Sequence, residues 1–189
     1  MARSLMWSKM SDALFSGTPV TLIDMLQARE NRSSLQRELL AADEKAALLV
    51  ATMNIPGPVK NSAPLTAVFE ELITEIEEAV KELIPLANLY RSLETGPEYY
   101  LVLPTDPYEL KQMMVQIETH HPYGRLVDLD VLAKNQDQLL PISRTEIGLP
   151  TRSCYVCEQD AKVCGRSRTH SVADIQQQIR KIIQERVKE

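Results

Sequence analysis

The most sustained apolar pattern in the chain is Leu65, Val68, Phe69, Leu72, Ile76, Ala79, Val80 and Leu83, which follows i, i+3, i+4, i+7 spacing, with Glu70, Glu71, Glu75, Glu77 and Glu78 largely on the other side. It predicts an amphipathic helix with a solvated acidic face. Upstream, Thr18-Pro19 offers an N-cap and a first-turn proline for a helix over about 19–40, with Leu22, Met25, Leu26, Leu35 and Leu39 as its stripe. Residues 1–17 show no period and are expected to be partly disordered. The run Ala46 to Met53 is short and apolar and is closed by Asn54-Ile55-Pro56-Gly57-Pro58, which reads as a strand followed by a rigid loop. Leu86 to Leu93 and Glu98 to Leu103 are strand-like runs joined by Glu94-Thr95-Gly96-Pro97, a hairpin signal. Asp106-Pro107 caps a second amphipathic helix whose buried stripe is Leu110, Met113, Met114 and Ile117. Gly124 releases the chain into a strand from Arg125 to Leu132, Lys134 to Asp137 turns it, and Leu139 to Arg144 returns as a short strand. Gly148-Leu149-Pro150 opens an irregular segment, and Ser171 with Asp174 forms a capping box for a C-terminal helix of about 171–187 carrying Val172, Ile175, Ile179 and Ile182.

From Ala46 onward the order is β-α-β-β-α-β. The expected class is α+β: a ferredoxin-like core with an N-terminal helix, an added hairpin strand, a Cys-rich loop and a C-terminal helix. Both core helices should lie on one face of an antiparallel sheet, leaving the opposite face for a site. At 189 residues the chain is expected to be a single domain, 1–189, with a sizeable core.

One strand breaks its own pattern. Asp128 and Asp130 sit inside an apolar, β-branched run, and strand alternation points both side chains the same way with Cα atoms roughly 6.6 Å apart. Two carboxylates this close repel unless a cation or proton lies between them, and Mg²⁺ is commonly held by one or two carboxylates plus substrate phosphates. A solvated edge strand is the alternative.

Charge adds to the picture in one place. The net charge of -5 argues against a general nucleic-acid binder. Between Arg144 and His170, however, Arg144, Arg152, Lys162, Arg166 and Arg168 outnumber Glu146, Glu158 and Asp160, so a basic stretch follows the acids in sequence. Guanidinium groups match phosphate oxygens bidentately, and Mg²⁺ with arginines neutralises charge in phosphoryl-type transfer. Lys60, in the Pro56-Gly57-Pro58-Val59-Lys60 loop, is a second phosphate candidate. Surface arginines and an ordinary turn are the plainer readings. The same stretch holds Cys154-x₂-Cys157-x₆-Cys164-x₅-His170, which suits a structural Zn²⁺ in ligand type and number; reduced thiols without metal are the alternative. His170 is also a candidate phosphate ligand, whereas His120 and His121 suit a helix C-terminus. Three crowded cysteines do not resemble a secreted disulfide framework, and no redox-type βαβ unit precedes the CxxC. No apolar stretch reaches transmembrane length and the N-terminus lacks a signal core, so a cytoplasmic protein is expected.

The strand Arg125 to Leu132 resembles the metal-binding signature of hydroxymethyldihydropterin pyrophosphokinases, which have a ferredoxin-like core and place two such aspartates on Mg²⁺. Nearly end to end, the chain more closely resembles the citrate lyase holo-acyl carrier protein synthases, the apo-citrate lyase phosphoribosyl-dephospho-CoA transferase family. The residues that carry this are Leu26 to Arg32, Pro56 to Lys60, His121 to Val131, Ser143-Arg144, Arg152 to Gln159 and Cys164 to His170. Val127 departs from the family, which generally has tryptophan there, though by strand parity it faces away from the aspartates. The resemblance implies a nucleotidyltransferase-type phosphotransferase. It would move 2′-(5″-phosphoribosyl)-3′-dephospho-CoA from its 5″-triphosphate precursor, 2′-(5″-triphosphoribosyl)-3′-dephospho-CoA, to a serine of the apo acyl carrier subunit of citrate lyase, releasing pyrophosphate. Asp128 and Asp130 would then be catalytic and hold Mg²⁺, while Arg125, Arg144, Arg152, Arg166, Arg168, Lys60 and His170 would bind substrate. Arg29, Glu30 and Arg32 fit either substrate contact or a helix-surface ion network. A Mg-dependent pyrophosphokinase of a small hydroxyl substrate, or a non-enzymatic zinc-bearing interaction module, are the alternatives.

Overall fold

The structure is a computed structural model that describes residues 13–41, 43, 45–135 and 138–186. Helix α1 spans Leu22–Leu40, followed by β1 (Ala47–Met53), α2 (Ala63–Ala79), β2 (Ala87–Arg91), β3 (Glu98–Leu103), α3 (Pro107–His120), β4 (Val127–Asn135), β5 (Gln138–Pro141), α4 (Ala161–Ser167) and α5 (Val172–Arg186). The five strands form one sheet in the order β2-β3-β1-β4-β5, and every neighbouring pair is antiparallel.

Strand alternation divides the core in two. On one face Leu49, Ala51, Tyr99, Leu101, Val127, Leu129 and Val131 pack with Leu65, Phe69, Leu72 and Ile76 of α2, Leu110 and Met114 of α3, and Ile179 and Ile183 of α5. On the other, Leu48, Val50, Tyr100, Val102 and Leu132 pack with Leu40, Leu35 and Leu39 of α1. The second face is therefore partly covered by α1 rather than left open. Arg32 of α1 donates through Nε and Nη2 to Glu98 Oε1 at 3.0 and 2.8 Å, Glu98 is 1% exposed, and the Tyr100 hydroxyl donates to its other oxygen at 2.6 Å. Arg32 thus ties α1 to β3.

Local chemistry corrects several expected boundaries. Helix α1 starts after Thr21, not Thr18, because Thr21 and Asp24 form a reciprocal capping box. Its first apolar residues, Leu22 and Leu26, are exposed, and the helix is anchored by its C-terminal half. Helix α2 ends at Ala79, so Leu83 lies beyond it. Met113 is exposed rather than buried, with Val115 in the core instead. The aspartate strand begins at Val127, since Gly124–Leu126 form a 3-10 turn, and β5 stops at Pro141, leaving Arg144 outside the sheet. The Cys-bearing segment contains a seven-residue helix, α4, capped by Asp160. Ser171 and Asp174 form the capping box expected of them, but Val172 is exposed. Residues 1–12, Gln136, Asp137 and Val187 lie outside the described residues, while Leu14, expected in an unstructured tail, is 1% exposed in the main core.

Candidate functional site

The site grows from a gap in the sheet. Strand β5 pairs with β4 only from Leu132 to Asn135, so the outer edge of β4 from Val127 to Val131 has no strand beside it. Unpaired backbone groups at a covered edge need partners. Helix α3 supplies two of them as side chains: Glu118 Oε1 accepts from the Leu129 N–H at 2.9 Å, and Lys111 Nζ donates to the Leu129 carbonyl at 2.8 Å. Each is 4% exposed. Ile142 N–H donates to the Val131 carbonyl at 2.9 Å, and Arg152 Nη2 donates to the Val127 carbonyl at 2.7 Å.

These edge partners also build an ionic lattice. Glu118 pairs with Arg144 Nη2 and Arg152 Nη2, both at 2.9 Å. Arg152 Nη1 continues to Asp128 Oδ1 at 2.7 Å. Arg144 Nε is buried without a hydrogen-bond partner. The lattice opens into a cavity of about 520 Å³ lined by Asp128, Asp130, Lys111, Glu118, Arg144 and Arg152, together with Asn54, Ser143, Thr145, Thr151, Asp160 and Lys162. Burial pushes the Asp128 carboxyl above its ordinary range, against the pull of Arg152 and with the repulsion of Asp130. Burial likewise pushes the Lys111 ammonium below its ordinary range, although Glu118 and Asp130 attract its charge.

Close packing sets the position of this lattice. The 3-10 turn before β4 abuts the end of α3 so tightly that a Cβ on Gly124 would strike the Ile117 carbonyl oxygen and lie 2.7 Å from that of Glu118. Glycine at 124 therefore lets β4 start directly beside the helix turn that bears Glu118.

Of the residues singled out from the sequence, Asp128, Asp130, Arg144 and Arg152 come together on this cavity. Lys162 of the basic stretch lines it too, while the other proposed substrate ligands lie elsewhere. Arg125 donates to the Ser153 carbonyl at 2.6 Å, with its guanidinium 5.4 Å from the Tyr155 ring centre. Lys60 donates to the Ile55 carbonyl at 2.6 Å, and burial with Arg29 nearby lowers its pKa. Arg166 is exposed on α4, and Arg168 ends that helix with a left-handed backbone at φ 50°. His170 joins the cysteines, its Nε2 3.2 Å from Cys157 Sγ. Lys111 and Glu118 were not foreseen. Their signal was present: two charged residues seven apart on α3, flanked by Leu110, Met114 and Ile117.

The ligand atoms of Cys154, Cys157, Cys164 and His170 all lie within 4.8 Å of one another, a set that could hold a structural metal such as zinc. The buried Cys164 thiol is pushed up to about 11 by its burial and by the Cys157 and Cys154 thiols.

Comparison with known proteins gives this geometry its class. The family model described as apo-citrate lyase phosphoribosyl-dephospho-CoA transferase matches residues 20–186. A probable apo-citrate lyase phosphoribosyl-dephospho-CoA transferase of Streptococcus pyogenes serotype M18 is 44% identical over 172 residues, covering 91% of this chain and 90% of the relative. The apo-citrate lyase phosphoribosyl-dephospho-CoA transferase of Citrobacter koseri is 32% identical over 163 residues, covering 82% and 84%. Protein CitXG of Leuconostoc mesenteroides subsp. cremoris is 35% identical over 174 residues, 91% of this chain and 37% of that longer protein. The chain is thus an enzyme of the transferase class. It belongs to the apo-citrate lyase phosphoribosyl-dephospho-CoA transferase family. Among the described residues no helix is long and apolar enough to cross a membrane.

Proposed function

We propose that this chain transfers the 2′-(5″-phosphoribosyl)-3′-dephospho-CoA group from its 5″-triphosphate precursor to a serine hydroxyl of the citrate lyase acyl carrier subunit. Family membership supports the substrates. The observation that carries the site assignment is the cavity in which Asp128 and Asp130 meet Lys111, Arg144 and Arg152. The serine hydroxyl oxygen bonds to the phosphorus next to the ribose and its proton is lost to water, the bond from that phosphorus to the bridging oxygen breaks, and pyrophosphate leaves with the electron pair. Arg144 and Arg152 are placed to bind phosphate oxygens, and Lys111 adds a third positive group.

The donor set fits Mg²⁺: two carboxylates on one strand face that line the cavity, matching a hard cation that prefers oxygen. Asp128 and Asp130 would hold it, and when bound it would neutralise charge on the triphosphate. Arg152 donates to one Asp128 oxygen at 2.7 Å, so a cationic side chain already lies against that carboxylate.

The order β2-β3-β1-β4 with β-α-β-β-α-β succession supports a ferredoxin-like assignment for the core, extended by β5. We further read the chain as a single domain working in the cytoplasm, where citrate lyase carrier protein and the dephospho-CoA precursor are its partners.

The test is pyrophosphate release. Release that needs both the triphosphate precursor and apo carrier supports the reading. AMP production from ATP without carrier modification supports the pyrophosphokinase alternative instead. Asp128→Asn and Asp130→Asn should each lower the rate by orders of magnitude while the fold, followed by circular dichroism, is unchanged.

A further inference from the structure

We propose that Cys154, Cys157, Cys164 and His170 bind one structural Zn²⁺, and that this ion holds the 151–162 wall of the cavity, and with it Arg152, against Glu118 and Asp128. The metal part stands on geometry alone; its meaning for phosphate binding rests on the proposed function.

Cys157 Sγ lies 3.5 Å from Cys164 Sγ and 3.2 Å from His170 Nε2. A tetrahedral Zn²⁺ with Zn–S of about 2.3 Å and Zn–N of about 2.0–2.1 Å has ligand–ligand edges of roughly 3.5–3.8 Å. These two edges are already near that size, and all four ligand atoms lie within 4.8 Å of one another. Thiolate and imidazole donors select zinc over the hard cations suited to the aspartates, so the two sites would not compete for the same ion. All four positions are filled by protein, which leaves no open coordination place and makes the role structural. The Val156 N–H points at Cys154 Sγ at 3.4 Å, a backbone donor that favours the thiolate.

The segment buries little apolar surface of its own: Tyr155 packs against the main core and its hydroxyl donates to the Arg125 carbonyl at 2.6 Å, while Arg152 and Ser153 make polar ties to the body of the fold. From 148 to 171, Cys164 is the one buried apolar residue among those described. Helix α4 has seven residues, and the one β-bridge there joins Ser153 to Asp160. A cross-link would hold a stretch with so little buried core more firmly in one conformation. The link to the cavity is short. Arg152 precedes the first ligand by two residues, its carbonyl accepts from the Ala161 N–H at 2.8 Å, and Cys154 N–H donates to the Gln159 carbonyl at 2.7 Å. Zinc at the cysteines would therefore fix both the backbone of Arg152 and the Asp160 to Lys162 turn that faces it across the cavity wall.

The experiment measures metal and local order on the full chain. Elemental analysis of protein purified under reducing conditions without chelator should give about one zinc per chain, and Cys157→Ser should lower this at least tenfold. Co²⁺ exchanged into the site should show the intense visible absorption of tetrahedral, thiolate-rich cobalt. As a readout that does not depend on a foldable variant, wild-type protein stripped by a chelator should keep its far-ultraviolet circular dichroism. In hydrogen exchange it should lose protection at residues 152–164 at least tenfold, with β1 and β3 unchanged, and recover on adding Zn²⁺. Absence of zinc, a Cys157–Cys164 disulfide in place of metal, or unchanged exchange at 152–164 after stripping would each overturn the proposal. None of these readouts uses the transferase reaction, so they stand apart from failure of the proposed function.

Discussion

Replacing Glu118 with glutamine tests the lattice at its centre. The carboxylate is 4% exposed and meets two guanidinium groups and one backbone N–H. Glutamine has nearly the same shape and can still accept from Leu129, so strand-edge pairing survives. What is lost is the negative charge, and an amide N–H₂ turns toward an arginine. Removing one partner of a buried ion pair costs about 3–5 kcal/mol, because the other charge remains buried without compensation. Both arginine side chains are 19% exposed, so solvent screens part of that loss. The expected destabilisation is therefore near the lower end, about 3 kcal/mol, read as a reduced urea midpoint at unchanged slope. Adding Arg144→Met to Glu118→Gln should recover part of the loss, since the two changes share one interaction. A loss below about 1 kcal/mol for Glu118→Gln, or full additivity of the pair, would refute the lattice as described.

Three further outcomes follow from individual contacts. The Asp128 carboxyl titrates above its ordinary range in the folded chain, so the stability it contributes is full below the unfolded-chain value and is lost as pH rises through the folded one. Asp128→Asn, which stays neutral, should thus melt higher than wild type at pH 7 in the presence of a chelator, with the gap closing near and below pH 4; a variant that melts lower at pH 7 contradicts this. Gly124→Ala forces a Cβ against the Ile117 and Glu118 carbonyl oxygens and should cost about 2–4 kcal/mol by denaturation, whereas a neutral result would mean that α3 yields there. Asp106 accepts from the N–H groups of Tyr108 and Glu109, so Asp106→Ala should cost about 1 kcal/mol in the same assay, and no change would show the cap to be dispensable.

The elements with a clean period were legible from the sequence. Helices α2 and α3, the β2–β3 hairpin and the aspartate strand all lie where apolar spacing and turn residues put them, to within a few residues. Helix α1 begins three residues later than Thr18-Pro19 predicts, because Thr21 and Asp24 form the capping box that sets its start. Its exposed Leu22 and Leu26 show that an apolar stripe does not by itself say which half of a helix is anchored. At the site, the acids of β4 stood out because charges inside an apolar strand have no packing explanation. The same logic applied to Lys111 and Glu118 on α3, but a helix offers several faces, and a charged residue near the border of a stripe is easily assigned to solvent. Only the register of β5, which leaves the β4 edge without a neighbouring strand from Val127 to Val131, gives those two charges a buried task. Basic residues adjacent in sequence likewise separated in space: Arg144 and Arg152 turn into the cavity, while Arg166 and Arg168 sit on or just past α4.

The proposed reaction joins the phosphoribosyl-dephospho-CoA group to the citrate lyase carrier subunit in the cavity built around Asp128 and Asp130. Its most direct test is the intact mass of purified apo carrier after incubation with the triphosphate precursor, Mg²⁺ and the enzyme. The carrier should gain the mass of one 2′-(5″-phosphoribosyl)-3′-dephospho-CoA less water, mapped by peptide fragmentation to a single serine, and Asp128→Asn should abolish the gain. An unchanged carrier mass with wild-type enzyme, or full modification by the Asp128→Asn variant, would contradict it.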